Sequence, residues 1–218
     1  MMLGARTAAW AKSGPTAKDY VQDGLVAMWD GIEGSWRNIV GQHEQMEFVG
    51  AHQLRGDCVF IDGVSGAYGI VGGLSLGGNP TTQEFVLKID NKENYGRVIA
   101  ENIGLCMDER SSHSYRLYGF GADSGIGLNP AFDARHSVSL GIGSLKVDHL
   151  FVNGVSTIRY YAKVGNSTYP NSITFFNRTG GGRGITGELC CARIYNRVIF
   201  PAEIAHNYAI DKVRFNLP

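Results

Sequence analysis

The stretch Gly187-Glu-Leu-Cys-Cys-Ala-Arg-Ile-Tyr-Asn-Arg-Val-Ile-Phe-Pro-Ala-Glu-Ile-Ala-His-Asn-Tyr208 decides the fold. Its first half has the two-residue period of a strand, with Ala192 and Ile194 on one face and Arg193 and Tyr195 on the other. From Phe200-Pro201 onward the period lengthens, and Ile204, Ala205, Tyr208 and Ala209 form an apolar stripe at helical spacing. Pro201 stands at a first helical position, where its missing N–H is not needed. Glu203 lies beside the positive end of the helix dipole. The expectation is a long strand that runs into a short terminal helix.

Further strands follow outward from this segment. In Tyr20–Gly31, Leu25, Ala27 and Trp29 share one face and Val26 and Met28 the other, so both faces are apolar. Thr82–Asp90 alternates, with Phe85, Leu87 and Ile89 together, as a central strand should. Cys58–Ile61 and Ala67–Val71 are separated by the turn dipeptide Asp62-Gly63, and Gly96–Ala100 and Ser114–Phe120 continue the meander. Asn153-Gly154, set between two apolar runs, predicts a two-residue hairpin because both residues accept positive φ. In Ala134–Leu140, His136 joins Val138 and Leu140. No Ser or Cys nucleophile with a paired acid accompanies it, so it reads as a half-buried strand histidine. The glycine-rich Gly72–Pro80 lacks the Lys-Ser/Thr pair and following helix of a phosphate loop.

Three of these segments resemble parts of one family. Gly187-Glu-Leu, Ala192-Arg-Ile-Tyr-Asn-Arg197 and Ala202-Glu-Ile204 are similar to the closing signature of laminin-G-like, concanavalin A-type lectin/glucanase jelly rolls. Gly24-Leu-Val-Ala-Met-Trp29 resembles the opening strand of that family, and Phe151-Val-Asn-Gly154 its Tyr-Val-Asn-Gly hairpin. The resemblance implies an all-β fold: a two-sheet antiparallel jelly-roll β-sandwich with a short C-terminal α-helix, its first and last strands side by side. Residues 1–19 would be an N-terminal arm and residues 20–218 the domain. Cys190-Cys191 replace acidic residues common at that point of the pattern. The opening phrase and Asp211–Pro218 also look like stand-alone jelly-roll proteins of gut bacteria, some from prophage regions.

Composition bounds the function. The 218 residues fit one sandwich domain. Twenty basic and twenty acidic residues cancel, so no global field favours nucleic acid or an anionic membrane. The four cysteines, at 58, 106, 190 and 191, have no zinc-site spacing and read as small apolar packers. Adjacent Cys190 and Cys191 should face opposite sides of their strand. Arg6 and Lys12 interrupt the opening residues, so no secretory signal is evident and the expectation is cytoplasmic, or a protein released or carried on a particle. Trp10 in the arm is a candidate contact to a second copy or a particle partner.

For chemistry, relatives often ligate calcium in the loop after the first strand. Here Asp30, Asn38, His43, Glu44 and Glu47 offer few closely spaced carboxylates, so the expectation is no cofactor, with calcium kept as the less favoured alternative. Retaining glycosidases place two carboxyls about 5–5.5 Å apart. The Glu-x-Asp-x-Glu string of the glucanase branch is absent, with Lys88–Glu93 the nearest run and Asp108-Glu109 adjacent and so facing apart. The expectation is a non-catalytic carbohydrate-binding module. Its alternatives are a structural or decoration protein of a phage or surface assembly, and a glycoside hydrolase. Aromatic platforms with planar donors suit a glycan, and the candidates are Trp36, Tyr118, Tyr169, Asn177, Arg178 and Arg183.

Overall fold

The structure is a computed structural model that describes residues 14–33, 36–41, 45–74, 80–90, 98–100, 103–108, 114–119, 122–123, 134–143, 147–156, 172–177 and 181–218. The strands are β1 (Leu25–Asp30), β2 (Glu47–Val49), β3 (His52–Arg55), β4 (Cys58–Asp62), β5 (Tyr68–Val71), β6 (Thr81–Ile89), β7 (Ile99–Ala100) and β8 (Ile103–Asp108). They continue with β9 (Ser114–Gly119), β10 (Ala122–Asp123), β11 (His136–Ile142), β12 (Val147–Val152), β13 (Val155–Ser156), β14 (Ile173–Phe175) and β15 (Thr186–Tyr195). One α-helix, α1 (Pro201–Arg214), ends the chain.

The large sheet runs β13-β12-β11-β6-β15-β4-β3, and β1 also pairs with β15. β6 flanks one edge of β15. β4 takes the first half of the other edge and β1 the second. The first and last strands are therefore neighbours, Trp29 opposite Ala192, as the resemblance implied. A smaller sheet, β2-β5-β14-β7, packs against the large one, and β10-β9-β8 form a third, all antiparallel. The core between the sheets holds Ala27, Trp29, Phe85, Leu87, Ile89, Ala192 and Ile194 from the large sheet with Val71, Ile173 and Phe175 from the small one. Phe85 and Phe175 meet edge to face at 5.5 Å. The architecture is a β-sandwich with one short C-terminal helix.

Local turn chemistry behaves as read at Asn153-Gly154, where φ values of 50° and 73° close the β12–β13 hairpin. A Cβ on Gly154 would lie 2.6 Å from the Tyr208 ring, so the tip packs directly on α1. Asp62-Gly63 does turn the chain, but not as a hairpin. A 3₁₀ turn at Gly63–Ser65, capped by Asp62, carries it from the large sheet into the small one.

Three expectations are corrected. Cys58 and Cys190 form a disulfide that bridges β4 and β15, so they are not free packers; Cys191 is free and buried, and Cys106 lies on β8 with its side chain outside the described residues. Cys190 and Cys191 do not face apart, because a bulge between Leu189 and Cys191 adds a residue to β15. Leu189 and Ala192 both reach the core, while both cysteines join the cluster on the opposite face. The helix is also rotated from the expected stripe. Its buried face is Ile204, Asn207, Ile210 and Asp211, and Ala205 is exposed.

Candidate functional site

The outer face of the large sheet divides into two regions with opposite fates. One lies under α1 and the Tyr20 segment. There Met28, Val86, Cys190, Cys191, Ile210 and Phe215 cluster around a buried ionic group. Arg193 reaches Asp211 through two bonds of 2.6 and 2.7 Å, and its Nε donates to Glu84 Oε2 at 3.0 Å. Tyr20 Oη and Ser137 Oγ donate to the two oxygens of Asp211 at 2.8 and 2.7 Å. Asn207 Nδ2 donates to Glu84 at 2.7 Å and to Tyr195 Oη at 2.9 Å, and its Oδ1 accepts from the Val21 N–H. The Arg193 guanidinium lies 4.1 Å from the Tyr20 ring centre. Burial raises the Glu84 carboxyl above its ordinary range against the opposing pull of Arg193. Burial, then Asp211, holds the Tyr20 phenol neutral.

These two carboxylates are committed to Arg193 and sealed from solvent. The Arg of the closing signature thus clamps the helix to the sheet, and Asn207 and Asp211 explain the helix rotation. Buried charge must be paired and hydrogen-bonded, and here it is.

The other region is uncovered among the described residues. Gln53 lies opposite Phe60, Phe60 opposite Glu188, and Glu188 opposite Lys88. Arg135, one residue before the His136–Leu87 pair, continues this row. Each residue is an outward position between inward ones: Phe60 lies between the core residues Val59 and Ile61, and Lys88 between Leu87 and Ile89. Arg135 holds Asp57 through bonds of 2.5 and 3.0 Å. The Arg55 guanidinium stands 3.9 Å over the Phe60 ring and contacts Gln53 Oε1 at 3.2 Å. Glu188, its side chain 12% exposed, receives Arg55 on one oxygen at 3.4 Å and Arg135 on the other at 3.5 Å.

The residues singled out from sequence do not form one site. Trp36 is buried, edge-on to Phe48 at 5.6 Å, and Asn177 is fully buried. Asn177 donates to Gly63 O and accepts from the Arg183 N–H, which pins the loop before β15. Both side chains lie inside the fold. Arg183 is exposed on that loop. Tyr118 lies on β9 with its side chain outside the described residues, as are Tyr169 and Arg178 entirely. Sequence alone does not single out the row from Gln53 to Arg135, because each member is an ordinary outward residue until strand register aligns them.

In the first loop, Asp30 Oδ1 accepts from the Ile32 and Glu33 N–H groups, and Oδ2 faces the Arg214 guanidinium at 3.0 Å. Asn38 Oδ1 accepts from the Met28 and Val40 N–H groups. A cation side chain and backbone donors therefore use the oxygens that calcium would need; His43 and Glu44 lie outside the described residues. Cys58, Glu188 and Cys190 have metal-like proximity, but both sulfurs are already bonded to each other.

No family model and no curated protein sequence matches the chain. Solved structures do. A Trypanosoma rangeli sialidase bound to 2,3-difluorosialic acid matches with TM-score 0.69 and 14% identity, over 92% of this chain and 35% of that one. The likeness is one of fold. The chain spans about a third of the sialidase. Domain 4 of an extracellular arabinanase from Geobacillus stearothermophilus, in complex with arabinotriose, matches with TM-score 0.58 and 14% identity, over 85% of this chain and 98% of that domain. The binding domain of botulinum neurotoxin DC, in complex with rat synaptotagmin II, gives TM-score 0.65 and 10% identity, over 87% and 52%. Among the described residues, no helix is long and apolar enough to cross a membrane.

Proposed function

We propose that the protein is a non-catalytic carbohydrate-recognition module. The observation that carries this reading is its correspondence with nearly the whole of an arabinanase domain that holds arabinotriose. That domain is a unit of similar size and architecture, whereas the chain spans only a third of the sialidase. The commitment of Glu84 and Asp211 to Arg193 supports a non-catalytic role, since both are withdrawn from solvent and substrate. The Cys58–Cys190 disulfide favours an oxidising compartment over the cytoplasm.

A glycan array probed with the full chain, with and without calcium, tests the reading. Selective binding to one class of oligosaccharide is expected, unchanged by a chelator. Failure to bind any glycan at high protein concentration would remove it and leave a decoration role, which particle pull-down would address. Release of reducing sugar from arabinan or β-glucan would contradict the non-catalytic assignment.

A further inference from the structure

We propose that the Gln53–Phe60–Glu188–Lys88–Arg135 row, with Arg55 and Asp57 beside it, is the binding face, and that it takes a neutral sugar presenting adjacent hydroxyls. This inference rests on the carbohydrate reading above and adds the place and the ligand class.

The argument begins with Glu188. Its carboxylate is largely enclosed, yet its two guanidinium contacts, at 3.4 and 3.5 Å, are long. Charge-assisted N–H···O bonds normally close to about 2.7–2.9 Å. A carboxylate offers about four acceptor sites, so short bonds from hydroxyl donors can be added without breaking a tight pair. Adjacent sugar hydroxyls fit this requirement: each donates to Glu188 while accepting from a guanidinium edge.

Phe60 supplies the second element. Its ring is an outward aromatic in the middle of the row, at present covered by Arg55, whose side chain is 42% exposed and weakly tethered to Glu188. A sugar C–H face can replace that guanidinium on the ring, and Arg55 then turns its donors to the hydroxyls. Arg135 cannot follow, because Asp57 holds it with two bonds. One donor is therefore fixed and one is adjustable.

Charge sets the class. Among the described residues, Arg55, Lys88 and Arg135 are balanced by Asp57, Glu188 and Asp90, with Lys88 and Asp90 2.7 Å apart. An acidic sugar would meet Glu188, and a cationic ligand would meet the guanidiniums. A neutral polyol meets neither. The Cys58–Cys190 bridge lies two residues from Phe60 on β4 and two from Glu188 on β15, so it fixes the spacing of the two central residues.

The test is calorimetric titration of the full chain with arabinotriose, xylotriose, cellotriose and 3′-sialyllactose, using wild type and the variants Phe60→Ala, Glu188→Gln and Val213→Ala, the last at an exposed position on α1. Thermal melts check that each variant folds. At least one neutral trisaccharide should bind wild type, and Phe60→Ala and Glu188→Gln should each weaken it about tenfold or more. Val213→Ala should leave binding unchanged. Full retention in the first two variants would overturn the placement while the carbohydrate reading stands. Preference for 3′-sialyllactose would overturn the neutral class. Absence of binding to all four sugars, together with a blank glycan array, would overturn both this inference and the reading beneath it.

Discussion

The two halves of the outer sheet face are built from the same alternation and carry similar residue types, yet α1 seals one and, among the described residues, nothing covers the other. Under α1, Arg193 has short bonds to two carboxylates, with Tyr20, Ser137 and Asn207 filling their remaining sites. Beyond the helix, Arg55 and Arg135 approach Glu188 at hydrogen-bond limits. Covering a charged group forces complete pairing, because an unpaired buried charge is expensive. On the other half the cations have more exposed partners, Arg135 pairing tightly with Asp57 and Lys88 with Asp90, and Glu188 is left with only the long contacts.

Arg193→Met breaks this contrast most directly. It leaves Glu84 and Asp211 buried without a cation and should cost about 3–5 kcal/mol in urea unfolding. Arg55→Ala, on the open half, should change stability by less than about 1 kcal/mol. Equal costs would erase the distinction between the halves.

Loss of the disulfide comes next. A Cys58→Ala/Cys190→Ala double variant should lose about 2–5 kcal/mol, since the bridge closes a chain separation of 132 residues. Wild type in reductant should approach the variant. Gly154→Ala should cost about 1–2 kcal/mol, because it places a side chain at positive φ against Tyr208. Melting temperatures would register both.

Glu203→Gln has the smallest expected effect and sharpens the helix side of the comparison. Glu203 pairs with Arg197 at 2.7 and 2.9 Å and accepts from the Phe200 N–H, and the Arg197 hydrogen bond holds its carboxyl below the ordinary 4.5. A depressed folded value means the stabilisation is present above 4.5 and lost as pH falls through the folded value. The variant should be less stable than wild type by about 0.5–1 kcal/mol at neutral pH. That difference should vanish in acid. A gap that persists at low pH would assign the loss to packing instead.

Much of the framework was legible because it is local. Phe85, Leu87 and Ile89 face the core together, and Asn153-Gly154 closes its hairpin, since both signals depend on neighbours in sequence. The phase slip from Leu189 to Ala192 is also present in the apolar pattern, but a strict two-residue period does not accommodate the bulge. The helix stripe failed for a different reason. Apolar periodicity ignores Asn207 and Asp211, which are buried because partners on β6 and β15 receive them. Among the candidate ligand residues, Trp36 and Asn177 carried the right chemistry at positions that burial had already taken.

By itself the sequence determined the main strands, one hairpin turn and one closing helix, since periodicity and turn residues act over a few positions; the neighbouring first and last strands were implied by the family resemblance. Only the tertiary structure decided which cysteines join, which arginine is buried and which outward residues form a row. Each of those outcomes depends on the register between strands far apart in the chain: Cys58 meets Cys190 across 132 residues, and Glu84 meets Arg193 across 109. One residue of slip would turn every such side chain to the other face.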